Sequence, residues 1–132
     1  MKLTLKHAVA VTMLLGSCTS YGDIRAKPPY ETRVVMGDAQ RLSDCTLNAF
    51  AMNYSKFSLT VDYLTFTKIM DGDTIHLAAH VSGNVYFWDV AFVPLQKRQT
   101  RVEARPLGTS VWGNKPNYPS DIWQLIEGCA DR

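Results

Sequence analysis

The spacing of apolar and polar residues divides the chain after residue 33 into helices and strands. Apolar residues recur at three- and four-residue steps over 39–53, and Asp38 is placed to cap the amino end of that helix. A short strand over 34–36 is expected before it. The buried face of the helix is expected to carry Leu42, Cys45, Ala49 and Met52.

From residue 57 onward the period becomes two, which is typical of strands with one covered face. Asp71-Gly72 predicts a tight hairpin, and Pro94 is expected to end the third strand. The predicted strands run over 57–69, 75–81, 85–93 and 100–105.

A long loop over 107–119 is expected to lead into a final helix. Asp121 and Gln124 are spaced as a capping box at its start. The apolar stripe of this helix is expected to hold Ile122, Leu125, Ile126 and Cys129.

The order of these elements predicts the fold class. A helix, an antiparallel meander of about four strands and a second helix indicate an α+β domain over residues 34–132. We expect the amino-terminal and carboxyl-terminal helices to pack on one face of the sheet, as a two-layer sandwich.

Two of the three cysteines lie on the apolar stripes of the two predicted helices. In an oxidising compartment, Cys45 and Cys129 are therefore expected to form a disulfide. The alternative is two separate buried thiols, which behave as small hydrophobic side chains.

The amino terminus has the order of an export signal. Lys2 and Lys6 are followed by an apolar stretch over 8–15 and by the small residues Gly16 and Ser17. As a helix, the apolar stretch would span about 12 Å, far less than the ~30 Å hydrocarbon core of a membrane. We therefore predict a signal peptide over residues 1–17.

The junction Leu15-Gly16-Ser17-Cys18 resembles the lipobox of bacterial lipoproteins. This resemblance implies that Cys18 carries a diacylglycerol and becomes the first residue after cleavage. In that family an aspartate after the cysteine retains the protein at the inner membrane. Thr19 stands here, so the resemblance implies an outer-membrane anchor and a domain in the periplasm. The alternative is an ordinary signal peptide that is cut a few residues later.

Residues 18–33 are polar and contain Pro28-Pro29, with neither a helical nor a strand period. This pattern predicts a flexible tether between the lipid and the domain.

The charge balance argues against binding to nucleic acid. The chain has 14 basic and 12 acidic residues. Lys2 and Lys6 precede Cys18, so twelve basic residues remain against twelve acidic ones after cleavage. A formally neutral domain lacks the excess positive charge that attracts nucleic acid.

The sequence contains none of the motifs that mark common catalytic, cofactor or zinc sites. His76 and His80 lie four positions apart on one strand, about 13 Å from each other, which is too far to share one metal ion. We therefore expect no catalytic residues, metal or cofactor, and interpret both histidines as polar residues of the outer sheet face.

The third predicted strand is apolar on both faces, so one face is left over after the core is formed. That face is either covered by other parts of the chain or exposed to a partner. If it is exposed, the candidate partner-binding residues are Tyr86, Trp88, Trp112 and Tyr118.

These expectations combine into one hypothesis and one alternative. The hypothesis is a membrane-anchored, non-enzymatic accessory or assembly subunit that contacts an envelope protein. The alternative is a binding module for a small hydrophobic or cell-wall ligand, or an inhibitor of a hydrolase.

Overall fold

The computed structural model describes residues 21–54, 64–81, 85–96, 98–106 and 118–131. The helices are α1 (Tyr21–Ala26), α2 (Ala39–Tyr54) and α3 (Ile122–Gly128). The strands are β1 (Glu31–Met36), β2 (Thr65–Asp71), β3 (Thr74–Val81), β4 (Val85–Pro94) and β5 (Gln99–Pro106). No helix in this part of the chain is long and apolar enough to cross a membrane.

The five strands form one antiparallel sheet in the order β1-β5-β4-β3-β2. The α+β class is therefore confirmed, whereas the expected count of four strands is too low. The strand beyond the predicted meander is β1, which was expected as a short strand over 34–36 but begins at Glu31 and joins the sheet by pairing along its length with β5. Gly72 has a φ of 62° in the β2–β3 hairpin, a conformation that glycine adopts without strain.

Alternation along the central strands places large apolar side chains on one face of the sheet. Trp88, Val90 and Phe92 of β4 are fully buried there. The ring of Trp88 lies 6.1 Å from that of Tyr54, and the ring of Phe50 lies 5.4 Å from that of Phe66. Burial of each such side chain contributes roughly 1.5–3 kcal/mol, so these contacts hold α2 against the sheet. We call this side the core face and the other side the back face.

Helix α2 begins where it was predicted to begin, but only part of its predicted buried stripe is buried. The backbone N–H of Arg41 donates to Oδ2 of Asp38 at 3.1 Å, which is the expected cap. Leu42 is buried as expected, but Met52 is 82% exposed and its assignment to the buried face is wrong. The aromatic contacts with the sheet turn another row inward, which consists of Leu42, Thr46, Phe50 and Tyr54.

The predicted pairing of Cys45 with Cys129 is confirmed. The two residues form a disulfide between α2 and the end of α3, with Cα atoms 5.9 Å apart. The expected capping box of α3 does not form, because the Asp121 carboxylate makes no side-chain cap bond. It accepts a hydrogen bond of 2.6 Å from the Tyr54 hydroxyl instead.

The segment expected to be a flexible tether is partly ordered. Residues 21–26 form the short helix α1, in which Ile24 is completely buried, and β1 follows from Glu31. Regular structure therefore occurs within 21–33, a segment that was expected to lack it. One buried apolar residue in a helix of six residues is too weak a periodic signal to read from sequence.

Candidate functional site

The four candidate aromatic residues do not form one surface. Trp88 is fully buried in the core face, and Tyr118 is 9% exposed. Tyr86 is half-buried, and Trp112 lies outside the described residues. Trp88 and Tyr118 both belong to the hydrophobic core, so neither lies on the sheet face that the sequence left open.

A β-bulge explains why Tyr86 and Trp88 lie on opposite faces. In the β3–β4 register, Ala79 pairs with Trp88 but His80 pairs with Tyr86, so Phe87 is the extra residue. Tyr86 therefore lies on the back face, where its ring is 4.9 Å from that of Tyr21 in α1. Simple alternation would have kept both rings on one side.

The back face of the three central strands carries the polar residues that define a candidate site. The register places His76 of β3 beside Ala91 of β4, and Ala91 beside Glu103 of β5. Val93 and Arg101 pair in the neighbouring row. Between these strands and α1 lies a cavity of about 410 Å³, which we call the back-face cavity.

A buried hydrogen-bonded cluster joins α1 to the floor of this cavity. Asp89 is fully buried, and its Oδ1 accepts a hydrogen bond of 2.9 Å from the Tyr21 hydroxyl. Its Oδ2 lies 2.8 Å from Nδ1 of His76, which is 7% exposed and lines the cavity. Because a carboxylate only accepts, Nδ1 of His76 carries the hydrogen, which leaves Nε2 for another partner.

Arginine side chains form the opposite wall. Glu103 accepts from two of them, at 3.1 Å from Nε of Arg101 and at 3.0 Å from Nη2 of Arg105. Nε of Arg105 also donates to the backbone oxygen of Lys27 at 2.7 Å, just after α1. On the α1 side, Arg25 lies 3.4 Å from Asp71. The cavity thus combines both charges around a floor of small apolar side chains.

Three tyrosine hydroxyls have raised pKa values, each mainly because burial disfavours the charged form. For Tyr21, the charge of Asp89 and its hydrogen bond raise the pKa further. The hydrogen bond to Asp121 acts in the same way on the pKa of Tyr54. Burial and then the charge of Glu31 raise the pKa of Tyr118 to about 12.

These shifts predict an incomplete alkaline titration of the folded protein. Of the six tyrosines, Tyr21, Tyr54 and Tyr118 are expected to stay protonated at about pH 11, whereas all six should ionise near pH 10 in denaturant. Their folded-state pKa values exceed the unfolded ones, so the neutral hydroxyls stabilise the fold below about pH 10. That stabilisation is lost as the pH rises towards 12. Tyrosinate absorbance measures this, and ionisation of all six together near pH 10 would contradict it.

The His76–Asp89 pair was missed by sequence reasoning. Both histidines were interpreted as polar residues of an outer face. His80 fits this, since its Nε2 lies 2.6 Å from Oγ1 of the exposed Thr67, but His76 is buried against Asp89. The available signal was Asp89 itself, the only charged residue within the apolar strand β4. A charged residue at such a position requires a buried partner. Among the described residues, no cluster of three or more potential metal ligands occurs.

Comparison with known proteins finds no family model that matches this chain and no curated protein similar to it.

Proposed function

We propose that this protein is a lipid-anchored, non-enzymatic protein of the bacterial cell envelope. In this proposal, residues 1–17 are a signal peptide, and Cys18 carries the lipid that holds the domain at the outer membrane. The domain faces the periplasm and binds a small polar ligand in the back-face cavity. Cys18 and the signal lie outside the described residues, so this part of the proposal rests on the sequence.

The back-face cavity is the observation that carries the binding function. A small-molecule site is a concave space with a few convergent polar groups, and a volume of about 410 Å³ falls in the usual range. His76 and Arg101 reach it from strands on either side of β4. Ala91 and Val93 of β4 have small side chains, which leave room between them. This favours the binding module over the accessory subunit.

We further propose that the two-layer arrangement keeps this face open. Helices α2 and α3 are joined by the Cys45–Cys129 disulfide and contribute side chains to one core with the sheet. That core includes Phe50 of α2 and Ile126 of α3. In this arrangement α2 and α3 pack on the core face, so the back face is available to α1 and to a ligand.

We propose that the buried cluster positions the ligand and does not convert it. Both oxygens of Asp89 are engaged, one by Tyr21 and the other by His76. The carboxylate therefore holds α1 in place and fixes the orientation of the imidazole. This is what a site that positions a ligand requires.

A second candidate function is the accessory or assembly subunit with an envelope protein as its partner. The observation in its favour is the edge strand β1, where Val34 is 57% exposed and Met36 is 48% exposed. Both lie on the back face, since Val34 pairs with Arg101 and Met36 with Gln99. Exposed apolar side chains on an edge strand are a site at which another chain can add.

Filling the cavity tests the binding function. Ala91 is 1% exposed and lies on the cavity floor, so Ala91→Phe is expected to occupy the space without entering the core. The full chain in detergent is heated with a library of neutral, cationic and anionic envelope solutes. At least one solute should raise the melting temperature of the original chain and leave that of the variant unchanged.

The matched control is Asn48→Phe, which adds the same ring at an exposed position of α2 outside the cavity. This variant should respond to the same solute as the original chain does. If no compound in the library stabilises the original chain, the support for this site is removed. The same holds if every stabilising compound also stabilises Ala91→Phe.

A further inference from the structure

One end of the back-face cavity favours an anionic group. Three guanidinium groups line it, those of Arg25, Arg101 and Arg105, against the carboxylates of Asp71 and Glu103. Asp89 at the floor is a third carboxylate and the cross-strand neighbour of Arg105, so the charges of the whole site balance. The positive charge is least compensated at Arg101, because Arg25 is paired with Asp71 and Arg105 has both Glu103 and Asp89 beside it.

The guanidinium groups on β5 also have donors to spare. Each carries five N–H groups. Within the described part of the chain, Arg101 uses only Nε, on Glu103. Nη1 of Arg105 also lacks a hydrogen-bond partner, but it is completely buried, so it reaches a ligand only if the Arg105 side chain turns. An oxyanion beside Arg101 would supply acceptors to its unused donors directly, and to Nη1 of Arg105 after that turn.

The opposite side of the cavity provides Nε2 of His76. Nδ1 of His76 is committed to Asp89, so Nε2 is the ring atom left for a ligand, and in the neutral ring it accepts a hydrogen bond. His76 and the β5 arginines are separated by β4, hence by two strand spacings or roughly 10 Å. A ligand that meets both sides needs an anion at one end and a hydroxyl or amine at the other.

We propose that the back-face cavity binds a phosphate group that carries a short hydroxylated chain, such as glycerol phosphate. The tetrahedral phosphate lies between Arg101 and Arg105, and a hydroxyl donates to Nε2 of His76. A phosphate presents acceptors in several directions and so reaches two guanidinium groups, whereas one guanidinium fork satisfies a planar carboxylate. This inference rests on the proposed function, because it names the ligand of the same cavity.

Two sources supply this chemistry, the headgroup of a membrane phospholipid and a free solute. The membrane source follows from the proposed anchor. Cys18 precedes Tyr21 by three positions, and three extended residues reach at most about 11 Å. The cavity beneath α1 would then lie close to the lipid headgroups.

Calorimetric titration of the full chain in detergent with glycerol 3-phosphate tests the proposal. Arg101→Gln is expected to weaken binding roughly tenfold to hundredfold, the usual effect of losing a charge-assisted hydrogen bond. The matched control is Arg98→Gln, because the Arg98 side chain is 83% exposed and lies outside the cavity. It should bind as the original chain does. Equal binding by Arg101→Gln would overturn the assignment.

A second variant separates ligand binding from structural damage. Glu103 competes with the ligand for Arg101 and Arg105, so Glu103→Gln should bind glycerol 3-phosphate several-fold more tightly. A merely structural role for Glu103 would weaken binding instead and would count against the site. Glycerate, which has a carboxylate in place of the phosphate, should bind at least tenfold more weakly, and equal binding would overturn the preference for phosphate.

The source of the phosphate is distinguished by competition. Phosphatidylglycerol added to the detergent should weaken the binding of glycerol 3-phosphate if the headgroup is the ligand, whereas diacylglycerol, which has no phosphate, should not. Binding of glycerol 3-phosphate without this competition identifies a solute. If glycerol 3-phosphate does not bind at all, the inference is overturned. A neutral solute that stabilises the original chain but not Ala91→Phe would overturn the inference alone and leave the proposed function standing.

Discussion

Replacing both Cys45 and Cys129 with alanine is expected to lower the free energy of unfolding by about 4–5 kcal/mol. The disulfide closes a loop of 84 residues, and in the chain-entropy model its main effect is to restrict the unfolded chain. Domains of this size are stable by only 5–15 kcal/mol, so the loss is a large share of the total. Guanidinium unfolding with linear extrapolation measures it.

Reduction supplies the control for this variant. A reductant should destabilise the original chain by a similar amount and leave the double variant unaffected, because the variant has no bond to break. A double variant that loses less than about 1 kcal/mol would show that α2 and α3 hold together through the core alone. The bond would then be incidental to stability.

Cys18→Ala is expected to abolish membrane retention and labelling with radioactive palmitate. Acyl chains supply about 0.8 kcal/mol per buried methylene, so two or three chains give a stable anchor. The apolar stretch over 8–15 is too short to replace them, since it would span about 12 Å as a helix. Fractionation of cell envelopes followed by detection of the domain measures the change.

Ser17→Ala is the matched control for this variant, because it exchanges one small residue for another directly before the cysteine. It should keep both the label and the membrane fraction. If Cys18→Ala stays in the membrane fraction as the original chain does, the lipobox interpretation is contradicted. An ordinary signal peptide that is cut further along the chain would then be favoured.

The parts of the fold that follow local periodicity could be predicted from the sequence. Strands β3 and β5 alternate between apolar and polar residues over most of their length, and the hairpin at Gly72 follows from its turn residues. Helix α2 begins where Asp38 can cap it. The apolar stripe of a helix and the alternation of a strand depend on residues that are close together in the sequence. They can therefore be recognised from the sequence alone.

The parts that depend on contacts between distant residues could not be predicted in this way. Phe87 is an extra residue only relative to its partner strand, so the separation of Tyr86 from Trp88 required the register. The partners of Asp89 lie 13 and 68 positions away, and no local pattern marks them. The candidate site belongs to this second group, because α1 and four strands must come together to form it.

Helix α1 is fastened to the sheet at both of its ends. Tyr21 donates to Asp89 at its first residue, and Arg105 donates to the backbone of Lys27 directly after its last. Among the described residues, mechanical tension from the amino-terminal side meets the Tyr21–Asp89 hydrogen bond before it meets the buried Ile24. From Asp89 the force is transmitted to His76 on the floor of the cavity. If the chain is anchored as proposed, a pull on the anchor and a ligand at His76 would act on the same carboxylate.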